Sequence, residues 1–325
     1  MLKTFETINW ENKDVNNIED GVYLDMPIDV YHSNKTHESA SLLKKLFESL
    51  AHYKAEKNKE KRNEVFFDFG NAFEMAITDR DEFNKKVRIF DDSKRPFPDK
   101  DYKTKANRDY RNSFFENARD LGKLVIPSEG DNSSDVMNQM LENFMSHKSA
   151  ETLISGSNFQ TSIFWTDKKS GLQLKTRPDF WKGNSDNRKY ALIADLKTDK
   201  DSLREKHLKS ICNLNYPVQA IIQMMGLAAA GLIDKTSDSF NARFFWVVCS
   251  KCIPYNTEVY EFTGEDIPDF LIAVENKLME LAEAKKEDTF LSYDPSTNFG
   301  ITEVRFPFYY RNSMGIYESI GSSPN

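Results

Sequence analysis

Apolar positions along the chain change their period several times, and each change predicts an element. Ala242–Ser250 is almost continuously apolar, the pattern of a strand covered on both faces. Tyr190 to Ala194 has the same character and runs into Asp195-Leu196-Lys197. Ahead of it, Gly171 to Trp181 reads as a partner strand, and the Gly183-Asn-Ser-Asp-Asn run between them reads as a turn, so that Gly171–Asp199 predicts a β-hairpin. Further strands are predicted over Gly21–Leu24, Gln160–Thr166 and Glu258–Phe262. Helical periods cover Ser41–Lys57, Phe67–Thr78, about Asn107–Leu121, Ser134–His147, Tyr216–Leu232 and Ile267–Lys285. The last carries Ile267, Phe270, Leu271, Val274, Leu278 and Leu281 on one stripe. Pro217 suits the first turn of its helix, where a missing N–H costs nothing. Without internal repeats or a low-complexity linker, the pattern predicts one domain over residues 1–325. Its core runs from about 20 to 312, and residues 313–325 form a polar tail. The class is α/β (α+β), a central mixed sheet flanked by helices.

Composition adds limits. With 325 residues, 39% hydrophobic, including 24 Phe, 13 Tyr and four Trp, the chain can bury a sizeable core. Three cysteines are too few and too poorly spaced for a disulfide framework; Cys249-Ser-Lys-Cys252 lacks the second pair of a zinc site. A reducing cytoplasm is the expected compartment. No apolar run approaches the 18 residues of a membrane span, so no membrane partner is expected.

The chemistry concentrates in the hairpin. Asp195 and Lys197 are two apart on a strand and share a face, while Leu196 points the other way. Asp179, at the end of the first strand, lies roughly opposite Asp195. Two carboxylates and an ammonium therefore converge, as metal-assisted phosphodiester hydrolysis requires. Mg²⁺ or Mn²⁺ takes hard oxygen ligands, and a neighbouring lysine can orient or deprotonate the attacking water. The same spacing also occurs on solvated faces, but charges placed at the end of a buried strand are costly without a purpose.

Arg177-Pro178-Asp179 followed by Asp195-Leu196-Lys197-Thr198 resembles the PD-(D/E)XK nuclease signature, and the flanks resemble the exonuclease VIII (RecE) branch from about Gly21 to Arg311. The similarity takes in Gly21 to His32, the Ser39 to Tyr53 helix, Gly70-Asn-Ala-Phe-Glu74, Phe159 to Trp165 and Tyr216-Pro-Val-Gln219-Ala-Ile-Ile-Gln223. It implies a restriction-endonuclease-like fold and catalytic Asp179, Asp195 and Lys197. It implies Glu74, Asp179, Asp195 and Leu196 at a Mg²⁺ or Mn²⁺ site, with Gln160, Thr198, Gln219 and Gln223 in support. It also implies duplex DNA ends as substrate, a single-strand annealing partner of the RecT type and a homo-oligomeric ring. Three positions depart from the family. Its histidine is Glu74 here, an acid before the Ile-Phe-Trp strand is Gln160, and the helix tyrosine is Gln223. Glutamate still suits a hard cation, whereas Gln160 removes one anionic ligand.

A net charge of −7 is awkward for a DNA binder, because phosphate contacts come mainly from Lys and Arg. The Lys94–Arg111 segment offsets this locally. Arg95, Lys103, Lys105 and Arg108, interleaved with Phe97, Tyr102 and Tyr110, together with Arg177, are the DNA-contact candidates. His207 lies in a Lys-rich stretch that could also touch phosphate. Two readings follow: a Mg²⁺-dependent exonuclease, or a nuclease-fold protein that binds DNA ends or a partner with little catalysis.

Overall fold

The computed structural model describes residues 2–11, 13–59, 65–183 and 190–292, with 311, 313 and 314. The chain divides into two units, Met1–Phe290 and Leu291–Asn325, and the elements and site belong to the first. The hairpin turn at 184–189 and nearly all of the polar tail lie outside the described residues.

The strands are β1 (Lys3–Phe5), β2 (Gly21–Tyr23), β3 (Glu38–Ser39), β4 (Val87–Phe90), β5 (Leu124–Pro127), β6 (Asn158–Phe159), β7 (Ser162–Thr166), β8 (Gln173–Thr176), β9 (Phe180–Gly183), β10 (Ala191–Asp199), β11 (Ala242–Ser250) and β12 (Thr257–Glu261). The helices are α1 (Ile28–Ser33), α2 (Ala40–Leu43), α3 (Leu50–Lys57), α4 (Val65–Thr78), α5 (Arg80–Lys86), α6 (Lys105–Asp120), α7 (Ser134–Ser146), α8 (Lys148–Ile154), α9 (Arg204–Asn213), α10 (Tyr216–Ala229) and α11 (Ile267–Glu287). The α/β class is as the pattern predicts, with the strands shared between two mixed sheets, β1-β2-β7-β8-β3 and β12-β11-β10-β9-β6, and a β4-β5 pair apart.

The Gly171–Trp181 stretch is where the chain changes sheets. β8 pairs with β7 and β3, whereas β9 pairs with β10, and Arg177-Pro178 separates them. Pro178 has no N–H to give a ladder, so the strand cannot run on through it. The expected Ser41–Lys57 helix is likewise divided into α2, a 3₁₀ turn at Lys44–Phe47 and α3. The Ser49 hydroxyl accepts from His52 N and starts α3 afresh, competing with continuation of the preceding turn. Gln160 lies between β6 and β7 rather than at the start of a strand, with φ at +48°, a left-handed value that costs a non-glycine residue energy.

The second sheet is packed on both faces, and period two sorts its side chains between them. Ala191, Ile193, Trp246 and Val248 join α10 and α11 in one core, while Ala194, Phe245, Val247 and Cys249 join α4, α7 and α8 in another. α10 is apolar almost all round and buries Val218 and the run from Ala220 to Leu227. Gly226 lets it lie close to the first sheet, because a Cβ there would stand 2.5 Å from Thr176 Cγ2 and 3.1 Å from Trp165. Gly226→Ala is therefore expected to cost about 1–3 kcal/mol by overpacking. Urea unfolding checks it, and an unchanged midpoint would mean that α10 can shift freely.

Candidate functional site

Register carries the two motif carboxylates together. Ala194 pairs with Phe180 across β9 and β10, so the next step places Asp195 beside Asp179, as the hairpin pattern predicts. Asp179, just before β9, is fixed through its Oδ2, which accepts from the Leu196 N–H at 2.7 Å. Asp195 is the fifth of the nine residues in β10 and is fully buried, which corrects the expectation that it sits at a strand end outside the packed centre. Its Oδ1 accepts from Gln219 Nε2 at 2.8 Å and Gln223 Nε2 at 3.3 Å. These two amides are one helical turn apart on α10, so Gln223, in the place of the family's tyrosine, still supports Asp195. Asp195 Oδ2 receives no directed hydrogen bond and faces the Lys197 ammonium in an ion pair.

Glu74 approaches from α4. That helix runs beside β10, where a Cβ at Gly70 would come within 3.9 Å of Thr198 Oγ1. Glu74 Oε1 accepts from Gln160 Nε2 at 2.9 Å, and Gln160 Oε1 accepts from Arg177 Nη2 at 2.8 Å. A neutral amide thus relays between carboxylate and guanidinium. Arg177 also donates to the Met26 carbonyl and the Ser162 hydroxyl, which ties it to the loop before α1 and to β7.

The charges are out of balance with their burial. Desolvation raises the Asp179 carboxyl well above its usual range, and the Asp195 and Glu74 carboxylates push it the same way. Desolvation also raises Glu74, against the Gln160 hydrogen bond and the Arg177 charge. Burial alone would lower the Lys197 ammonium, but Asp195 and Asp179 hold it above its ordinary value. Raised carboxyls keep protons in the folded chain at pH values where the unfolded chain has lost them, so folding takes up protons. Stability from these groups falls as pH rises from about 4, the unfolded value, through the raised folded values. Asp179→Asn is accordingly expected to flatten that fall in metal-free buffer. Urea unfolding at a series of pH values checks it, and an equal slope in both proteins would contradict it.

The donor set fits a small hard cation: carboxylate oxygens, an Asp195 Oδ2 whose one partner is the Lys197 ammonium, and mutual carboxylate repulsion that a positive ion would relieve. Among the described residues no three His, Cys, Asp or Glu side chains form a ready cage, so water and substrate oxygens would have to complete the shell.

Residues 39–293 match the PDDEXK-like domain of unknown function (DUF3799). The chain belongs to this PDDEXK-like family. Pro178-Asp179 and Asp195-Leu196-Lys197 supply the letters of the family's name, and the fold is a nuclease fold. Among solved structures, the PDDEXK-like chain is similar to a "Putative exonuclease" from Eubacterium rectale, with a TM-score of 0.52 at 12% identity over 89% of this chain and 98% of that one. It also aligns with SSO0001 at a TM-score of 0.28 and 11% identity, over 69% of this chain and 85% of that one. At 12% identity the first likeness is one of fold. No curated protein matches the sequence.

The remaining candidates of the PDDEXK-like chain are placed elsewhere. Arg95 donates to the carbonyls of Asp92, Pro98 and Lys100, Arg108 to those of Tyr102 and Lys103, and Lys103 pairs with Asp101. The segment is thus organised on itself, with Lys105 opening α6. Among the described residues none of these four shares a hydrogen bond, ion pair or ring contact with Asp179, Asp195 or Lys197. His207 is fully buried between Tyr260 Oη and the Asp201 carbonyl, which removes it as a phosphate contact. Cys212, Cys249 and Cys252 are free thiols. Among the described residues no helix is long and apolar enough to cross a membrane. The hairpin reading missed Lys44 and Tyr216, whose ring has both the Lys197 and the Lys44 ammonium near it. The pair Lys44-Lys45 in an otherwise amphipathic segment was their one sequence signal.

Proposed function

We propose that this chain is a Mg²⁺- or Mn²⁺-dependent exonuclease that digests duplex DNA from its ends and leaves single strands. The observation that supports this most is the desolvated pair Asp179 and Asp195, with Lys197 ion-paired to Asp195 and the Asp195 Oδ2 otherwise unbonded. Glu74, Asp179, Asp195 and the main chain of Leu196 would hold the cation. When bound, it would supply a water of lowered pKa and offset charge developing on the phosphate. Gln219 and Gln223 fix Asp195, and the Leu196 N–H fixes Asp179, so the carboxylates are oriented before substrate arrives. Lys197, held protonated by its neighbours, suits orientation of water and phosphate better than proton abstraction.

Action at ends, a ring of identical subunits and an annealing partner of the RecT type rest on the exonuclease VIII resemblance, and a cytoplasmic setting rests on the sparse cysteines. A ring would let an acidic chain turn a basic surface toward DNA. The neutral Gln160, tied between Glu74 and Arg177, favours a second reading, a protein that binds DNA ends or a partner with little cleavage. Incubation with linear and covalently closed circular duplex separates the two. Chelator-sensitive loss of the linear form alone supports the exonuclease; retention of linear DNA without digestion supports the binder.

A further inference from the structure

Lys44 and Lys45 are neighbours with opposite circumstances. Lys45 pairs with Glu48 at 2.5 Å on the surface, both side chains well exposed. Lys44 turns inward. It opens the 3₁₀ turn Lys44–Phe47, pinned by the fully buried Leu43 and Leu46, and its Nζ stands 5.1 Å from the centroid of the Tyr216 ring. Lys197 Nζ stands 5.0 Å from the same centroid. Tyr216 begins α10 one turn before Gln219, the residue that holds Asp195, so the ring borders the carboxylate site. An aromatic face attracts cations without neutralising them. Lys197 has its counter-charge in Asp195. Among the described residues Lys44 has no carboxylate or carbonyl partner, and burial together with the Lys197 charge lowers it to about 8.

A site built from Asp179, Asp195 and Glu74 repels a polyanion, and Lys44 is a cation within electrostatic reach of Asp195 that is not held in a close ion pair. We propose that Lys44 is a phosphate-binding residue of this site, sharing the ring of Tyr216 with Lys197 and taking a backbone phosphate of the nucleic-acid substrate. The inference rests on the nuclease reading and goes beyond it by naming the residue that receives the anion. An ammonium on a flexible stem serves phosphate as a point charge.

The test is binding of a fluorescent linear duplex by anisotropy, with Ca²⁺ in place of Mg²⁺, across a salt series. Lys44→Met keeps the stem on the Tyr216 ring and removes the charge, Lys44→Arg keeps the charge, and Lys45→Met is the surface control. Lys44→Met is expected to bind about tenfold more weakly and to lose about 0.9 from the slope of log affinity against log salt, the share of one duplex phosphate contact. Lys44→Arg should retain both affinity and slope, and Lys45→Met should leave them unchanged. Unchanged affinity in Lys44→Met, weaker binding with an unchanged slope, or equal losses in Lys45→Met would overturn the assignment. Thermal melting of each variant shows that the comparison is between folded proteins. If the wild type digests linear duplex while Lys44→Met binds normally, only the Lys44 assignment fails. If the wild type neither binds nor digests DNA, the nuclease reading and the assignment fall together.

Discussion

Asp195→Asn is expected to lower metal-dependent DNA cleavage by about 10³-fold or more while costing the metal-free protein less stability than Lys197→Ala does. The first part follows from several kcal/mol of charge stabilisation lost with an anionic ligand. The second follows from burial. Asp195 is fully buried and its charge helps push Asp179 upward, so the neutral amide relieves a repulsion. Asn retains an acceptor for Gln219, and the charge of Asp179 still faces Lys197. Loss of activity far larger than the loss of stability marks a residue kept for chemistry. Digestion of linear duplex and urea unfolding measure the two halves, and an active, destabilised Asp195→Asn would show a structural carboxylate. Lys197→Ala, which the hairpin pattern suggests as equally clean, is not, because it strips a buried carboxylate of its ion pair. Breaking such a pair costs about 3–5 kcal/mol.

Glu74→Ala is expected to eliminate metal-dependent cleavage as well, for a different reason. Glu74 brings a third carboxylate to Asp179 and Asp195 from a helix on the other side of the sheet from Gln219 and Gln223. Its counter-charge, Arg177, reaches it only through Gln160, so the carboxylate is not consumed in a direct ion pair and remains available to a cation. Gln160→Glu sharpens the test. It replaces the donated hydrogen bond to Glu74 by a repulsion, and so should lower the metal-free melting temperature while tightening Mg²⁺ binding and keeping activity equal or higher. Glu74→Ala with wild-type cleavage, or Gln160→Glu with a metal-independent melting temperature, would assign the relay to structure alone.

What the sequence revealed of this site was what one hairpin can encode. Asp179 and Asp195 are sixteen residues apart, and the apolar runs on either side set their register, so their juxtaposition was readable directly. β11 was readable over its full extent because both of its faces are buried. β1 and β3, of three and two residues, are too short to show a period. The change of sheet at Arg177-Pro178 looked like one continuous strand because Leu174 and Phe180 flank it closely; the polar run Lys175-Thr176-Arg177 and the missing N–H of Pro178 were its signals. The Glu74, Gln160 and Arg177 relay and the Lys44 contact with Tyr216 join elements far apart in sequence, and their residue types are ordinary on solvated faces. The local folding of the basic segment was hidden for the complementary reason. Its arginines are spent on the carbonyls of the loop that carries them, a local use that composition cannot distinguish from a DNA-binding surface.

The central claim is that the desolvated carboxylates around Lys197 form a cation site, and calorimetric titration of Mg²⁺ into the wild type and Asp195→Asn tests it most directly. Saturable binding by the wild type, abolished in Asp195→Asn, is the predicted result; no binding of Mg²⁺ or Mn²⁺ by the wild type, or undiminished binding by Asp195→Asn, would contradict it.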